Sequence, residues 1–585
     1  MKAFLSILFV SLSLPLAANV QYQMTVTDAA HHLAQVTVTM DKSAGPFEVM
    51  LPAWRTGRYQ IINQADGIRH LTATLDGQAV SVSKVDKSTW QVPASPAGLL
   101  KVSYQIYADR LGERLYHIDD SHAFIDASGA FVYNPSLRQQ PVSVVLNVPD
   151  NWQSVSGMQR TGEHCFSAPN YDVLIDSPIE TGVHQRYQFM ADGKSYELVI
   201  WGAGNYHGQK MADDLKKVVV ASQAIWKGYP FDHYVFMVHA TSGERGATEH
   251  LNSTIIQTGR YNFAPHENYL KFLGTAAHEF VHTWNVKAYR GQGLVPYDYQ
   301  HENYTRLLWL AEGSTSYFQN QLLLRSGLMT ADEYFSILGK SITAFKHNPG
   351  RFQQSVSQAS FDNWIAQRGN YGHNFSVNIY SEGAMVSWLL DADLLKTTQN
   401  RVSYRNLHQR LYAKHRLPGT FDDQTLLTEL KAISGKDYSA FWAHNVKAPL
   451  GDIDFASLLA QFGLKLTNQD KGVVTGLDVS KDGTVSTVDA GSPAWQAGLT
   501  NGDVLVALDG LRLLPASLDK RLKAYKAGDK IELTFFRRDQ LQNRSLVLQQ
   551  QPAKYQVEAV ANPSRAQKAA FKAWLGIEFP KPKKA

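Results

Sequence analysis

Two histidines four residues apart, with a glutamate between them, are the residues best placed in this sequence to do chemistry. The stretch Thr275-Ala-Ala-His278-Glu279-Phe-Val-His282-Thr-Trp-Asn285 reads His-Glu-x-x-His within an apolar, helix-prone run. Because positions i and i+4 lie on one face of a helix, both imidazoles can bind one ion. The carboxylate of Glu279 can then take a proton from a water that the ion polarises. The pattern predicts a hydrolytic zinc site; an amphipathic helix with two surface histidines is the alternative.

A third ligand is predicted in a second apolar run, Arg306-Leu-Leu-Trp-Leu-Ala-Glu312-Gly-Ser-Thr-Ser-Tyr-Phe318. Its single carboxylate, Glu312, needs a partner if it is buried, and a metal ion is such a partner. Two histidines and one glutamate leave the fourth coordination position of one Zn²⁺ open for water. An open position is typical of a catalytic site rather than a structural one.

The predicted substrate-binding residues lie just before the zinc helix. Gly243-Glu-Arg-Gly246-Ala-Thr-Glu249-His250 is a glycine-punctuated turn that leads into a strand. A strand at this position can lie along the cleft and pair with an extended peptide through its backbone. Gly246 and Glu249 are therefore assigned to substrate binding, with Glu249 directed toward one end of the peptide. The alternative for Glu249 is a surface ion pair with Arg245.

The composition indicates a globular protein of several domains. The chain has 585 residues, of which 44% are hydrophobic and 19% charged, and its net charge is +5. This length predicts three or four domains. The small net charge gives no case for a nucleic-acid partner. A single cysteine, Cys165, cannot close an internal disulfide.

The first 18 residues have the pattern of a secretory signal peptide. Met1-Lys2 is followed by a short apolar run and then by Pro15-Leu-Ala-Ala18. The run is too short to span a membrane, and no later segment is long and apolar enough to do so. We therefore expect an exported protein, either periplasmic or secreted.

The remaining chain predicts a multidomain α+β architecture. Residues 19–185 show alternating strands such as Ala34-Gln-Val-Thr-Val-Thr-Met40, which predict an antiparallel β-sandwich. Residues 186–450 begin with strands, carry the zinc motif and are mostly helical from about residue 320. We assign them to the catalytic domain.

The last part of the chain predicts a small β unit and a tail. Gly491-Ser-Pro-Ala-Trp-Gln-Ala-Gly-Leu499 and Asn501-Gly-Asp-Val-Leu505 resemble a PDZ domain, which we place at 451–555. PDZ domains bind peptide ends by strand addition, so a peptide ligand is a possible partner. Asp478 lies in the expected carboxylate-binding loop, where it would repel a peptide carboxylate. A purely structural role is therefore an equal alternative. Residues 556–585 are expected to form a C-terminal tail.

Together these motifs resemble the glycyl aminopeptidase family of PDZ-containing zinc metallopeptidases, of gluzincin type. The shared stretches are Leu51-Pro-Ala-Trp-Arg-Thr-Gly-Arg-Tyr59, Asp176-Ser-Pro-Ile-Glu180, Gly246-Ala-Thr-Glu249-His250, the zinc helix and Leu308-Trp-Leu-Ala-Glu312. The resemblance implies a thermolysin-like α+β catalytic domain that removes small N-terminal residues such as Gly or Ala. Ala247-Thr248 stands where the family commonly has Gly-Leu. These side chains neighbour the expected pocket for the first residue, so they can change which first residue is preferred.

The broader zinc aminopeptidases imply two further roles. By similarity, Glu249 holds the free amino group of the substrate. Asn378-Ile-Tyr380-Ser-Glu-Gly-Ala384 resembles the stretch whose tyrosine stabilises the oxyanion, which assigns Tyr380 to catalysis beside Glu279. The expected substrates are peptides with a free N-terminus. A zinc endopeptidase with the same chemistry and a non-catalytic, PDZ-based peptide-binding module are the rival hypotheses.

Overall fold

The computed structural model describes residues 19–366, 369–469 and 472–581. The predicted signal peptide, residues 1–18, lies outside this part of the chain. Among the described residues, no helix is both long enough and apolar enough to cross a membrane.

The N-terminal domain is the predicted β-sandwich. Its fifteen strands, with their bounds, are β1 Val20–Asp28, β2 Leu33–Lys42, β3 Gly45–Met50, β4 Ile68–Leu75, β5 Gln78–Val80, β6 Ser83–Lys84, β7 Thr89–Ser95, β8 Gly98–Tyr107, β9 His117–Ile118, β10 His122–Ile125, β11 Val142–Asn147, β12 Gln153–Ser156, β13 Gln159–Gly162, β14 Cys165–Ala168 and β15 Ile179–Gly182. They form sheets ordered β13-β14-β11-β1-β2-β8-β4-β5, β3-β7-β6 and β12-β15-β10-β9. Pairing is antiparallel except between β1 and β11. Two short helices, α1 Ala127–Ala130 and α2 Tyr171–Ile175, complete the domain.

Alternation along β2 shows why these segments form a sandwich. Ala34, Val36, Val38 and Met40 are buried, whereas the threonines between them face outward and are only partly covered. A strand places successive side chains on opposite faces, so this period of two buries one face in the core.

The catalytic domain begins with a five-stranded sheet and continues as helices. The strands are β16 Gln185–Ala191, β17 Lys194–Trp201, β18 His233–Thr241, β19 Gly246–Glu249 and β20 Ser253–Gly259, in the order β16-β17-β18-β20-β19. The helices are α3 Gly208–Ser222, α4 His266–His282, α5 Ser314–Arg325, α6 Ala331–His347, α7 Val356–Phe361, α8 Gly369–Phe375, α9 Ser381–Thr397, α10 Tyr404–Lys414, α11 Asp423–Ser434, α12 Ser439–Asn445 and α13 Phe455–Ala460. A π-helical turn at Trp309–Gly313 precedes α5.

The N-terminal domain packs against the back of the catalytic sheet. Phe124 and Val155, from β10 and β12, share a fully buried cluster with Val235 and Met237 of β18 and with further residues of β17 and β20. This contact fixes the N-terminal domain beside the cleft that the catalytic sheet borders.

The PDZ unit has its own hydrophobic core. Along the chain it is inserted between two paired strands of the catalytic domain. Its elements are β22 Val473–Val474, β23 Leu477–Val479, β24 Val485–Val488, α14 Pro493–Gln496, β25 Val504–Leu508, β26 Leu511–Arg512, α15 Leu518–Leu522, β27 Lys530–Arg537, β28 Gln540–Val547 and β29 Gln549–Gln550. The strands before and after it, β21 Leu464–Gln469 and β30 Lys554–Ala559, pair with each other and pack against α6. The expected boundaries 451–555 are therefore too wide, because α13 and β21 belong to the catalytic core.

The expected tail at 556–585 is also wrong for the residues that the structure describes. Residues 565–575 form α16, Arg565–Leu575, whose Phe571, Trp574 and Leu575 are fully buried in the catalytic core. These apolar residues recur at spacings of three and four, which gives the helix one face to bury. The Trp574 ring stacks on Trp388 with ring centroids 5.7 Å apart.

Candidate active site

The zinc-motif helix, α4, is held by an apolar face that turns its histidines toward the cleft. Phe272, Leu273, Ala276, Phe280 and Val281 are buried in the catalytic core. His278 and His282 occupy the remaining face, one turn apart, where both rings border a cleft of about 730 Å³. The helix thus presents both imidazoles to the same point, as the spacing predicts.

The three predicted metal ligands meet at that point. The Nε2 atoms of His278 and His282 are 3.1 Å apart, and the Glu312 Oε2 atom lies 3.6 and 3.2 Å from them. The Nδ1–H of His278 donates to Gln319 Oε1 at 2.7 Å, and that of His282 donates to the carbonyl of Asn285 at 2.8 Å. These bonds fix the tautomer that leaves both Nε2 lone pairs directed at the carboxylate.

This donor set fits a zinc ion. Two imidazole lone pairs and a carboxylate oxygen directed at one point repel one another unless a cation lies between them. Burial works against the charged form of Glu312, but the two imidazoles overcome it and lower the pKa of this carboxyl. Two nitrogens and one oxygen are a ligand set that zinc adopts in catalytic sites.

Glu312 reaches the site because it lies on the π-helical turn, which packs against the start of α9. A Cβ added to Gly383 would lie 2.6 Å from the carbonyl oxygen of Trp309 and 2.9 Å from the Cα of Gly313. Only glycine allows this backbone contact. It brings the Glu312 turn and the Tyr380 end of α9 together, and such turns occur often at functional sites.

Glu279 and Tyr380 both line the same cleft as the metal ligands. Glu279 is only 6% exposed, and burial raises the pKa of its carboxyl to about 8. The Tyr380 ring faces the His278 ring, with centroids 6.0 Å apart. The structure therefore brings together the predicted base and the predicted phenol.

Glu249 lies at the end of edge strand β19, 5% exposed and bordering the cleft. Its Oε1 atom is 3.8 Å from the ammonium of Lys287, a buried lysine that also contacts Asp176 Oδ1 at 2.6 Å. Although burial opposes it, Lys287 lowers the pKa of Glu249 and favours the carboxylate. Gly246 begins the same strand and borders the cleft, so both predicted substrate residues lie there. Glu249 has no ion pair with Arg245 among the described contacts.

Comparison with known proteins identifies these domains. Residues 21–183 match the Peptidase M61 N-terminal domain, residues 271–386 match M61 glycyl aminopeptidase, and residues 484–535 match a PDZ domain. The N-terminal and catalytic regions of the chain are thus similar to the M61 glycyl aminopeptidase family. The predicted resemblance is thereby confirmed, and the protein is a metallo-aminopeptidase.

One solved structure shares the fold of this protein over nearly its whole length. It is an aminopeptidase N family protein from Idiomarina loihiensis, 28% identical, and the match covers 95% of this chain and 100% of that chain with a TM-score of 0.88. An M1 zinc metallopeptidase from Deinococcus radiodurans is 14% identical over 71% of this chain and 90% of that chain, with a TM-score of 0.44. No curated protein sequence matches this chain.

The N-terminal domain contributes residues to the active site that the sequence did not predict. Tyr59 donates from its hydroxyl to Glu312 Oε1 at 2.6 Å, and Arg114 donates to the carbonyl of Ala247 on β19 at 3.2 Å. Gly57 has φ +81°, and a Cβ there would lie 2.8 Å from Glu249 Oε2. Gly57 and Tyr59 lie in the stretch 51–59, which the sequence shares with the family. The resemblance assigned no role to that stretch.

Proposed function

We propose that this enzyme is a zinc aminopeptidase that hydrolyses the first peptide bond of peptides with a free N-terminus. The observation that carries the proposal is the buried carboxylate of Glu249 at the end of edge strand β19, in the cleft of the His278, His282 and Glu312 triad. An endopeptidase has no need of a buried carboxylate at this end of the cleft, whereas a terminal ammonium needs one as its partner.

The substrate is held by the strand and by this carboxylate. Among the described strands β19 pairs only with β20, so its other edge can pair with an extended peptide beside the contact from Arg114 to the Ala247 carbonyl. Glu249 fixes the ammonium, and Gly57 packs against this carboxylate, where an added Cβ would lie 2.8 Å from Oε2.

The chemical roles follow from the groups that border the cleft. His278, His282 and Glu312 would hold a zinc ion, which would supply Lewis acidity toward the attacking water and the scissile carbonyl. Glu279 accepts the proton of the attacking water and passes it to the leaving amine. Tyr380 donates a hydrogen bond to the oxyanion that forms at the carbonyl carbon.

Blocking the substrate's amino group tests the proposal. We expect an N-acetylated peptide to be cleaved at its first bond at least about 100-fold more slowly than the same peptide with a free amine, because the charged contact to Glu249 is lost. Both peptides are compared by kcat/KM, with Glu249→Gln as the matched control. That variant should lose activity on the free amine and lose little on the acetylated peptide. Equal rates on the two substrates would favour the endopeptidase.

Two finer points belong to the same proposal. Preference for small first residues such as Gly or Ala is supported by the family resemblance, and rates across a set of first residues measure it. Export is supported by the leader pattern at residues 1–18, and N-terminal sequencing of the mature protein tests it. A zinc-free His278→Ala protein that kept its biological function would instead favour the PDZ-based binding module.

A further inference from the structure

A second cluster of metal-binding residue types lies at the junction of the N-terminal and catalytic domains. His122 is on β10, Glu180 on the neighbouring strand β15, and His239 on β18 of the catalytic sheet. All three side chains are buried, with exposures of 0, 1 and 0%. None of them belongs to the active-site cleft.

The ligand atoms of this cluster lie close together, with each histidine beside a different oxygen of Glu180. The His122 Nδ1 atom lies 3.0 Å from Glu180 Oε1, and the His239 Nε2 atom lies 2.9 Å from Glu180 Oε2. One atom from each of the three residues falls within 4.8 Å of the others. In a tetrahedral site with bonds of about 2.0–2.1 Å, ligand atoms lie about 3.3–3.5 Å apart. The spacing therefore needs only small adjustments to bind zinc.

The charge of Glu180 requires a partner that no lysine or arginine supplies. In the part of the chain that the structure describes, its only ion-pair contacts are the two imidazoles. A carboxylate at 1% exposure is costly unless a positive charge compensates it. The compensating charge is either a proton on one imidazole or a metal ion between both.

The His239 ring is held by a hydrogen bond on its far side. Its Nδ1 atom, which faces away from Glu180, lies 3.1 Å from the side-chain amide of Gln257, and a histidine that binds a metal is commonly oriented by a bond at its other ring nitrogen. His122 stacks on Trp201 with centroids 3.6 Å apart. Its Nε2 atom is buried without a hydrogen-bond partner among the described residues.

Another histidine lies beside the cluster. The His117 ring lies 5.4 Å from that of His122, and the Nδ1 atom of His117 is also buried without a described partner. Buried ring nitrogens without partners need an explanation, and a nearby ion is one.

We propose that His122, Glu180 and His239 bind a second, structural zinc ion that joins the N-terminal domain to the catalytic sheet. This ion takes no part in peptide hydrolysis. Its role is to hold β10 and β15 against β18, and so to keep the residues of the 51–59 stretch at the edge of the active site.

Metal analysis of the purified full-length protein tests the proposal. We expect about two zinc ions per chain in the wild type, about one in Glu180→Gln, and about one in the matched control Glu312→Gln. A double variant should bind none. The two single variants should lose different ions, so a cobalt-substituted sample of each should give a different absorption spectrum.

A measurement on the wild type keeps the test independent of how the variants fold. Anomalous X-ray scattering at the zinc edge should give a peak between His122 and His239 as well as one at His278. A wild type with one zinc ion per chain, at His278 only, would overturn the proposal. It would mean that a protonated imidazole compensates Glu180.

Discussion

At the scale of single residues, each ligand of the catalytic metal site has a hydrogen-bond partner that orients it, and two of these partners come from other elements of the fold. Gln319 orients His278, the carbonyl of Asn285 orients His282, and Tyr59 of the N-terminal domain holds Glu312. Such partners commonly contribute as much to a metal site as the ligands' own geometry does. The zinc site is therefore a property of two domains, although all three ligands come from one.

Tyr59→Phe should weaken zinc binding without removing a ligand. The change deletes the hydroxyl that donates to Glu312 Oε1 and keeps the ring, so Glu312 loses its orientation. We expect the zinc dissociation constant to rise about 10–100-fold. Competition with a chromogenic chelator measures it. Tyr261→Phe, at a tyrosine that is 71% exposed, is the control and should change nothing. Unchanged affinity in Tyr59→Phe would show that Glu312 does not depend on this contact.

At the scale of elements, the start of α9 and the Glu312 turn act as one unit because two glycines meet between them. Gly383→Ala places a Cβ 2.6 Å from the Trp309 carbonyl oxygen, so the turn must move. We expect a loss of about 1–3 kcal/mol in the free energy of unfolding. We also expect kcat/KM to fall about 100-fold, since displacements near 1 Å have that effect on catalytic geometry.

Gly274→Ala is the matched control on the zinc helix itself. Its added Cβ would meet nothing closer than 3.8 Å, so helix propensity alone should raise the free energy of unfolding by about 0.5–1 kcal/mol. Thermal unfolding and kcat/KM are measured on both variants. If both behaved alike, the contact at Gly383 would not be what positions Glu312.

The buried carboxyl of Glu382 on α9 should make the free energy of unfolding depend on pH. Glu382 is 2% exposed, its Oε1 atom has no hydrogen-bond partner among the described residues, and burial raises the pKa of its carboxyl to about 8. Between about pH 4.5 and 8 the folded chain keeps a proton that the unfolded chain releases. The free energy of unfolding therefore falls as pH rises through this window.

Glu382→Gln should remove that cost. We expect its melting temperature to exceed that of the wild type by more at pH 8 than at pH 6, as calorimetry would record. Glu267→Gln, at an exposed position of α4, should give similar small differences at both values. A wild-type stability with the same pH profile as Glu382→Gln would contradict the burial argument.

The sequence was sufficient for local patterns and insufficient for contacts between distant segments. The i, i+4 spacing of His278 and His282 predicts the zinc helix, and alternation predicts strands such as β2. Tyr59 is 253 positions from Glu312, and nothing local in either segment indicates that they meet. The C-terminal helix was missed for the same reason: its apolar face has no visible partner until the catalytic core is assembled.

At the scale of the whole molecule, the chain leaves the catalytic domain to form the PDZ unit and then returns. Gln469 at the end of β21 pairs with Lys554 at the start of β30, so the PDZ unit occupies the position of a hairpin loop. The returning chain adds α16, where Trp574 contacts Trp388, Phe462 and the Tyr317 hydroxyl. The PDZ unit is thus an insertion, whereas α16 is part of the catalytic core.

Removing these two parts should have opposite results. Replacing residues 470–553 with Asn-Gly joins an antiparallel pair by a favoured two-residue turn, so the remaining chain should fold, bind zinc and cleave short peptides within about threefold of the wild-type rate. Ending the chain after residue 560 deletes α16, and burial of Trp574 alone is worth about 3–5 kcal/mol. That protein should be largely unfolded or aggregated at 37 °C by circular dichroism and size-exclusion chromatography. A folded, active protein without α16, or an unfolded one without the PDZ unit, would reverse this division of the chain.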